Sequence, residues 1–252
     1  MSNPLNVMLA AGDRARLEVN VARKIARSAG GEQVEIIAGL AFRLREGETA
    51  ALIGPSGCGK TTLMRILAGL DGAFEGSLTR PPGAKIAMAF QEPRLLPWRD
   101  VEDNVRLAAP QSSAAERAAL FAAFGLAEHR RRFPAELSLG LARRAALARA
   151  LAAKPDLLLL DEPFVSLDPP LARAIRADLA RLIDRERLIT VLVTHNVEDA
   201  LDLADVIYVL APRPTYILGE VRIEAPRARL PAERRAELAH AVERLRPAAL
   251  QG

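Results

Sequence analysis

The stretch Gly54-Pro55-Ser56-Gly57-Cys58-Gly59-Lys60-Thr61 decides the fold of this 252-residue chain, because it fits the pattern G-x-x-x-x-G-K-[ST]. In such a loop, glycines let backbone N–H groups turn toward phosphate oxygens, and the lysine ammonium neutralises the outer phosphates. The threonine hydroxyl is suited to Mg²⁺. An apolar run at residues 50–53 precedes the loop and a helical pattern at 62–68 follows it. The sequence therefore predicts a strand, a phosphate-binding loop and a helix in succession.

A phosphate-binding loop that uses Mg²⁺ needs a second, acidic element. The apolar run Leu157–Leu160 directly precedes Asp161 and Glu162, which indicates a buried strand that delivers both carboxylates to the edge of a sheet. Asp161 is then placed to hold Mg²⁺ through water. Glu162 is placed to orient or deprotonate a water that attacks the γ-phosphate.

The composition restricts the class of protein. Half of the residues are hydrophobic, yet no apolar run approaches the roughly 18 residues of a membrane span. The N-terminus lacks the pattern of a secretory signal, and the single cysteine, Cys58, permits no internal disulfide, so we expect a soluble, cytosolic protein. The net charge of +4 would suit nucleic acid, but the tightest basic run, Arg130–Arg132, lacks interleaved aromatic residues. A solvated basic face is therefore favoured.

The order of patterns along the chain predicts an α/β fold with a helical insertion. Residues 15–45 are strand-like, whereas residues 100–153 are alanine-rich and helical. From residue 157 strands alternate with helices, which predicts a mostly parallel sheet with right-handed crossovers. We expect a terminal strand pair at residues 216–224 and an amphipathic helix at 231–245.

Several motifs, taken in their order, resemble the nucleotide-binding subunits of ABC transporters over roughly residues 15–225. They are the Walker A loop (Gly54–Thr62), the Q-loop glutamine (Gln91), Leu137-Ser138-Leu139-Gly140-Leu141 in place of the LSGGQ element, Walker B (Leu157–Glu162), the D-loop Ser166-Leu167-Asp168, and Val193–Asn196 with the switch histidine. The resemblance implies a P-loop NTPase with a mostly parallel core sheet and N-terminal antiparallel strands. It also implies an ABC-type domain over 15–228, a helical subdomain inserted at about 92–153, and a C-terminal amphipathic helix or tail over 229–252.

The resemblance further implies an ATPase that binds ATP and Mg²⁺ between two subunits arranged head to tail. Catalysis would fall to Glu162, His195 and Gln91, and Mg²⁺ would be bound by Thr61, Gln91 and Asp161. The residues implied to bind the nucleotide are Gly54, Pro55, Ser56, Gly57, Cys58, Gly59, Lys60, Thr61, Thr62, Ser138, Gly140 and Asp168, of which Asp168 would also brace the partner subunit.

The resemblance also implies partners. Closure on ATP and opening after hydrolysis would drive membrane-embedded permease subunits, with a periplasmic solute-binding protein in the same system. The chain would then lie peripherally on the cytoplasmic face of the inner membrane. In the family the stretch Gln91–Arg99 faces the permease, so Trp98 is either an anchor in that contact or packed over the helical insertion. The part Gln91–Trp98 and the end of the domain from Arg213-Pro214 to Pro226-Arg227 are similar to the same segments of importers of the nitrate, sulfonate and taurine group, which implies a small anion or an organosulfur or nitrogen solute.

Two departures from the family pattern leave more than one function open. Leu139 and Leu141 replace a glycine and a polar residue, and residues 15–40 contain no aromatic side chain to stack on adenine. Either the chain pairs with a different, intact ABC ATPase, or it forms a slow homodimer. The chain could also be a weakly hydrolysing nucleotide sensor, or a soluble ABC ATPase that acts on nucleic acid. It lacks the tandem cassettes or inserted coiled coils of that last class, and we expect no direct nucleic-acid partner.

Overall fold

The computed structural model describes residues 17–27, 30–165, 167–224 and 230–246. The strands are β1 (Leu17–Arg27), β2 (Gln33–Leu44), β3 (Thr49–Ile53), β4 (Glu75–Thr79), β5 (Ile86–Ala89), β6 (Leu157–Asp161), β7 (Ile189–Val193), β8 (Val206–Leu210) and β9 (Ile217–Arg222). The helices are α1 (Lys60–Leu67), α2 (Val101–Ala108), α3 (Ala114–Ala123), α4 (Leu139–Ala152), α5 (Pro169–Glu186), α6 (Val197–Leu203) and α7 (Ala232–Leu245), with short 3₁₀ turns at Ala127–His129 and Pro134–Glu136.

A six-stranded sheet in the order β5-β6-β7-β3-β8-β9 forms the core. Its strands are parallel except β9, which runs antiparallel to β8 at the edge. Every residue of β3, β6, β7 and β8 is buried, because other elements cover both faces and the strands are apolar on both sides. The predicted α/β fold with a mostly parallel core sheet is confirmed.

The two faces of the core sheet carry different layers. Successive side chains of a strand point to opposite faces, so Leu158 and Leu160 pack in the cluster that contains helices α2 to α7. Leu157 and Leu159 pack in the cluster that contains α1 and the second sheet. Helix α1 is therefore held between the two sheets, and its position relative to the strand ends is fixed by packing.

The second sheet is antiparallel and has the order β2-β1-β4. On β1 the buried residues Leu17, Val19 and Val21 alternate with exposed ones, so one face packs inward and the other faces water. This confirms the predicted N-terminal antiparallel strands. The strands on either side of the Pro81-Pro82-Gly83 turn belong to different sheets, because β4 pairs with β1 and β5 pairs with β6.

Helices α2 to α4 occupy the region predicted as the helical insertion. The buried residues of α4 are all alanine or leucine, and the small alanine side chains let it lie close to α2 and β5. In α2, the buried side chain of Asn104 organises the preceding loop. Its Oδ1 accepts from Leu96 N–H at 2.7 Å, and its Nδ2 donates to the carbonyls of Leu96, Arg99 and Asp100 at 3.0–3.2 Å.

The surface of this insertion exposes several large apolar side chains. Trp98 is 68% exposed, and Leu107 and Phe133 are about half exposed. The hypothesis that Trp98 packs over the helical insertion is therefore wrong. In the described ranges, no helix combines the length and the apolar character needed to cross a membrane.

The region after β8 differs from the expectation. The terminal strand pair predicted at residues 216–224 is wrong, because a single strand, β9, pairs with β8. Gly219 makes no turn there. A Cβ at Gly219 would lie 2.8 Å from Leu245 Cδ2, so the glycine gives room for α7 to pack on the strand.

The predicted amphipathic helix at 231–245 is present as α7. Leu238 and Val242 are buried on the core cluster, and Leu245 packs against it. Parts of the predicted units lie outside the described residues, namely residues 15–16, 28–29, 225–229 and 247–252, and the D-loop residue Ser166.

We expect Gly76→Ala to lower the free energy of unfolding by about 2–4 kcal/mol. Gly76 lies opposite Val21 with a φ of 133°, and a Cβ there would lie 2.0 Å from the carbonyl oxygen of Asn20. That oxygen is backbone, so β1 and β4 would have to separate. Urea denaturation followed by circular dichroism measures the change.

The matched control is Gly72→Ala, because a Cβ at Gly72 meets nothing within 4 Å. We expect its free energy of unfolding to stay within about 0.5 kcal/mol of the parent value. Equal denaturation midpoints for the two variants would contradict the clash between β1 and β4.

Candidate active site

The phosphate loop joins the end of β3 to the start of α1. Gly57 and Gly59 have φ values of 73° and 125°, a region open to glycine. Helix α1 has no side-chain cap at its N-terminus and no acidic residue in its first turn. Helices α2 to α6, in contrast, each begin with a side-chain cap, provided by Asp100, Ser113, Ser138, Asp168 and Asn196. The first N–H groups of α1 are therefore left for an anion.

Close packing fixes the course of the loop. A Cβ at Gly54 would lie 2.9 Å from Leu210 Cβ, and one at Gly59 would lie 2.9 Å from Ile36 Cγ2. The thiol of Cys58 is buried, so only the backbone of this residue can face a phosphate. Lys60 folds back over the loop, and its Nζ donates to the carbonyls of Gly54 and Pro55 at 2.7 and 2.8 Å.

All nine predicted loop residues, Gly54–Thr62, lie together in this loop and the first turn of α1. At the same place two of the three predicted magnesium ligands meet, because Thr61 Oγ1 donates to Asp161 Oδ2 at 3.1 Å. Burial raises the pKa of the Asp161 carboxyl, and the Thr61 hydroxyl acts in the opposite direction.

A hydroxyl and one carboxylate fit the needs of Mg²⁺, which typically binds one or two protein carboxylates together with phosphates and waters. Among the described residues, no group of three or more His, Cys, Asp and Glu side chains could hold a metal ion. The chain therefore offers a partial set of ligands that a nucleotide would complete.

Two of the three predicted catalytic side chains, those of Glu162 and His195, contact each other. His195 Nδ1 lies 2.9 Å from Glu162 Oε2, because β6 and β7 are neighbours and Asp161 pairs with Val193. Glu162 has a φ of 50°, which is unusual for a non-glycine residue, and its N–H donates to Val193 O at 2.9 Å. The imidazole is 67% exposed and the carboxylate only 11%, so the pair presents its histidine to solvent.

Gln91 leaves the sheet at the same edge. Ala89, at the end of β5, pairs with Leu160, so Gln91 follows a strand that ends beside Asp161, and it is exposed. Arg94 packs its guanidinium 4.2 Å from the Phe90 ring centroid. It lies near enough to Asp161 to oppose the rise in the pKa of that carboxyl. The sequence patterns do not single out Arg94 as a site residue.

Ser138, Gly140 and Asp168 lie at the starts of two other helices. Ser138 Oγ accepts from Leu141 N–H at 3.3 Å, and Asp168 Oδ2 accepts from Leu171 N–H at 3.2 Å. Each side chain thus caps its own helix. Gly140 lies in the first turn of α4, next to Leu139, whose side chain is 51% exposed.

The structure also brings a segment to the loop that sequence reasoning missed. Arg213 Nη2 donates to Gly57 O at 2.7 Å, and Thr215 Oγ1 donates to Cys58 O. Thr215 is held by Ile36 and Ala38 of β2 through backbone hydrogen bonds of 2.8 and 3.0 Å. In the sequence, Arg213-Pro214 serves only as a point of resemblance to a group of importers. No pattern in the sequence indicates that this segment contacts the phosphate loop.

Comparisons with known proteins agree with this geometry. Residues 37–165 match the family described as ABC transporter. The aliphatic sulfonates import ATP-binding protein SsuB 2 of Burkholderia cenocepacia (strain HI2424) is 41% identical over 216 residues, which cover 82% of this chain and 79% of that protein. The protein of the same name from Frankia alni (strain DSM 45986 / CECT 9034 / ACN14a) is 50% identical over 172 residues, covering 68% and 69% of the two chains.

A solved structure has the same fold. The ATP-binding cassette MJ0796, in a dimeric post-hydrolysis state bound to ADP and Pi, matches with a TM-score of 0.70 and 25% identity, covering 83% of this chain and 99% of that one. The family match spans both Walker segments, and the relatives extend it over most of the chain. The chain therefore belongs to the ABC transporter family, as an ATP-binding subunit that hydrolyses ATP.

Proposed function

We propose that the chain powers the import of aliphatic sulfonates or chemically similar organosulfur solutes. The observation that carries the ATPase part is the meeting of Thr61 with Asp161, and of Glu162 with His195, at one edge of the sheet beside an uncapped α1. The solute class is supported by the names of the relatives. It agrees with the solute class implied by the resemblance of the Gln91 stretch and of Arg213-Pro214 to importers of the nitrate, sulfonate and taurine group.

The triphosphate would bind along the loop. The N–H groups of residues 56–61 and the partial positive charge of the α1 N-terminus attract the phosphate oxygens. Lys60, which now donates to two loop carbonyls, can exchange one of them for a phosphate oxygen. Thr61 and Asp161 would hold Mg²⁺, with Gln91 as a further ligand. When bound, Mg²⁺ supplies positive charge to the β- and γ-phosphate oxygens.

Glu162 and His195 would act on the water and the γ-phosphate. The Glu162 carboxylate orients the attacking water or accepts its proton. When Nδ1 of His195 donates to Oε2, the hydrogen bond fixes the orientation of the carboxylate, and the Nε2 edge of the exposed ring remains open. If Nε2 donates to a phosphate while Nδ1 donates to Glu162, both ring nitrogens carry a proton and the ring is an imidazolium. Gln91 and His195 would then report the presence of the γ-phosphate.

We propose that the chain acts as a dimer on the cytoplasmic face of the inner membrane. Ser138, Gly140 and Asp168 would face the nucleotide site of the other subunit. Exposed Trp98 would contact a membrane-embedded permease, whose system would include a periplasmic solute-binding protein. The exposed aromatic side chain supports this contact, because a buried tryptophan anchor is a common source of interface energy.

We expect Lys60→Ala and Glu162→Gln to separate binding from hydrolysis. Lys60→Ala removes a charge from the phosphates and should weaken ATP binding by about tenfold to a hundredfold. Glu162→Gln keeps the shape of the side chain and should keep the affinity for Mg-ATP, while kcat falls by about 10²–10⁴-fold. Calorimetry and phosphate release measure the two quantities.

The matched controls are Lys85→Ala and Glu128→Gln, which change exposed side chains away from the loop. Both should behave as the parent protein does. The binding role of the loop is overturned if Lys60→Ala binds Mg-ATP as tightly as Lys85→Ala. The catalytic role of Glu162 is overturned if Glu162→Gln and Glu128→Gln hydrolyse ATP at the same rate.

We expect Leu139→Gly to raise the ATPase rate of the purified chain by about threefold or more, since an exposed, branched apolar side chain then no longer obstructs an approaching phosphate. Leu107→Gly is the matched control, because both leucines are 51% exposed on helices of the same subdomain, and its rate should not change. Equal rates for the two variants would argue against a slow homodimer limited by Leu139 and in favour of a different ATPase as the partner.

Deletion of the gene should abolish growth on an aliphatic sulfonate as the sole sulfur source and leave growth on sulfate intact. The parent gene should restore growth, and the Glu162→Gln gene should not, because import requires hydrolysis. Uptake of a labelled alkanesulfonate measures the same loss directly. Normal sulfonate uptake in the deletion strain would overturn the proposed solute class and leave the ATPase assignment untouched.

A further inference from the structure

The C-terminal helix α7 lies against the loop that carries His195. We propose that α7 positions the His195 loop, through Arg246 at its end and Arg235 in its first half. This inference rests on the proposed role of His195, and it assigns a function to a helix that the phosphate-binding motifs do not include.

Arg246 contacts the histidine residue itself. Its Nη2 donates to the carbonyl oxygen of His195 at 3.1 Å. Its Nη1 lies 3.0 Å from Glu243 Oε1, one turn back on α7. The guanidinium is thus tied to its own helix on one side and to the backbone of His195 on the other. Any movement of that carbonyl changes the direction in which the imidazole approaches Glu162.

Arg235 holds the helix that follows the histidine. Its Nη2 lies 2.6 Å from both Glu198 Oε2 and Asp202 Oδ1, which joins α7 to the two ends of α6. Glu198 N–H in turn donates to Asn196 Oδ1 at 2.8 Å, so the start of α6 is linked to the residue next to His195. Helix α6 has only seven residues, too few to be stable by themselves.

A buried network leads from Asp202 back to the other side of His195. Asp202 Oδ2 accepts from Arg176 Nε at 2.6 Å, and Arg176 Nη1 donates to Asp199 Oδ1 at 2.7 Å. Asp199 Oδ2 accepts from Thr194 Oγ1, and that hydroxyl accepts from Asn196 N–H, both at 3.1 Å. Both neighbours of His195 in the chain are therefore fixed by this network.

Breaking the ion pairs of this network is electrostatically costly. Arg176 and Asp199 are buried, and a buried charge that loses its partner is strongly destabilising. Leu238 and Val242 are buried on the core and fix the orientation of α7. Arg235 and Arg246 are thus presented at fixed points, and the His195 loop is held between the network and α7.

The test measures ATP hydrolysis and Mg-ATP affinity for Arg246→Ala, His195→Ala and the double variant. We expect Arg246→Ala to lower kcat by about tenfold, because a small misplacement of a catalytic group is costly, with the affinity for Mg-ATP changed less than about twofold. In the His195→Ala background, Arg246→Ala should cause no further loss, since a positioning residue has nothing left to position.

Arg234→Ala is the matched control, because Arg234 lies on the same helix and bonds Glu237 one turn away. It should leave kcat unchanged. Arg246→Lys retains a donor and should recover most of the rate. Melting temperatures of all variants show whether α7 remains packed, and a loss of kcat at an unchanged melting temperature separates positioning from folding.

Two results would overturn the inference while the proposed function stands: kcat of Arg246→Ala within twofold of the parent value, or losses that multiply in the double variant. A loss of kcat that follows the melting temperature, without rescue by Arg246→Lys, would also overturn it. If His195→Ala hydrolyses ATP at the parent rate, the role proposed for His195 itself fails, and the inference fails with it.

Discussion

The site depends on one constraint, namely that no side chain among the described residues caps the first N–H groups of α1. Each of the next five helices along the chain, α2 to α6, instead begins with a side chain that accepts a hydrogen bond from one of the helix's own first N–H groups. Unsatisfied donors cost stability, and glycines lose more conformational entropy on folding than other residues do. The cost is offset by packing of the loop against Leu210 and Ile36, and by the hydrogen bonds from Arg213 and Thr215. The fold therefore maintains an anion site that its own side chains do not fill.

Parallel strands determine which groups meet at that site. Because β3, β6 and β7 are parallel, their carboxyl ends share one edge, and the residues that follow them are brought together from distant parts of the sequence. The register that pairs Asp161 with Val193 places Glu162 beside His195, and the left-handed backbone at Glu162 turns its side chain out of the strand. Such strain at one residue is typical of functional sites.

Local patterns predicted the parts of the site that depend on local geometry. The phosphate loop, the strand ending in Asp161, and His195 are recognisable because each combines a residue type with a neighbouring strand or helix. Arg213 and Arg246 could not be found this way, since their contacts cross 156 and 51 residues of sequence and arginines are frequent throughout the chain. The packing of Gly219 could not be predicted for a related reason, because it depends on the distant side chain of Leu245.

The start of α4 carries a side-chain cap and the start of α1 does not, and this difference bears on the rate of ATP hydrolysis. Ser138 caps α4 only weakly, at 3.3 Å, beyond the usual range of about 2.7–3.2 Å for such bonds. A phosphate of the nucleotide bound to a second subunit could therefore displace the serine hydroxyl at little cost. The first N–H groups of α4 are then not what limits hydrolysis at a site shared by two subunits. We propose that the exposed side chain of Leu139 is the obstacle in such a site. A slow step at this helix would then be steric in origin. In a pair with a different ATPase it would be relieved only at the site to which the other subunit contributes a glycine at that position.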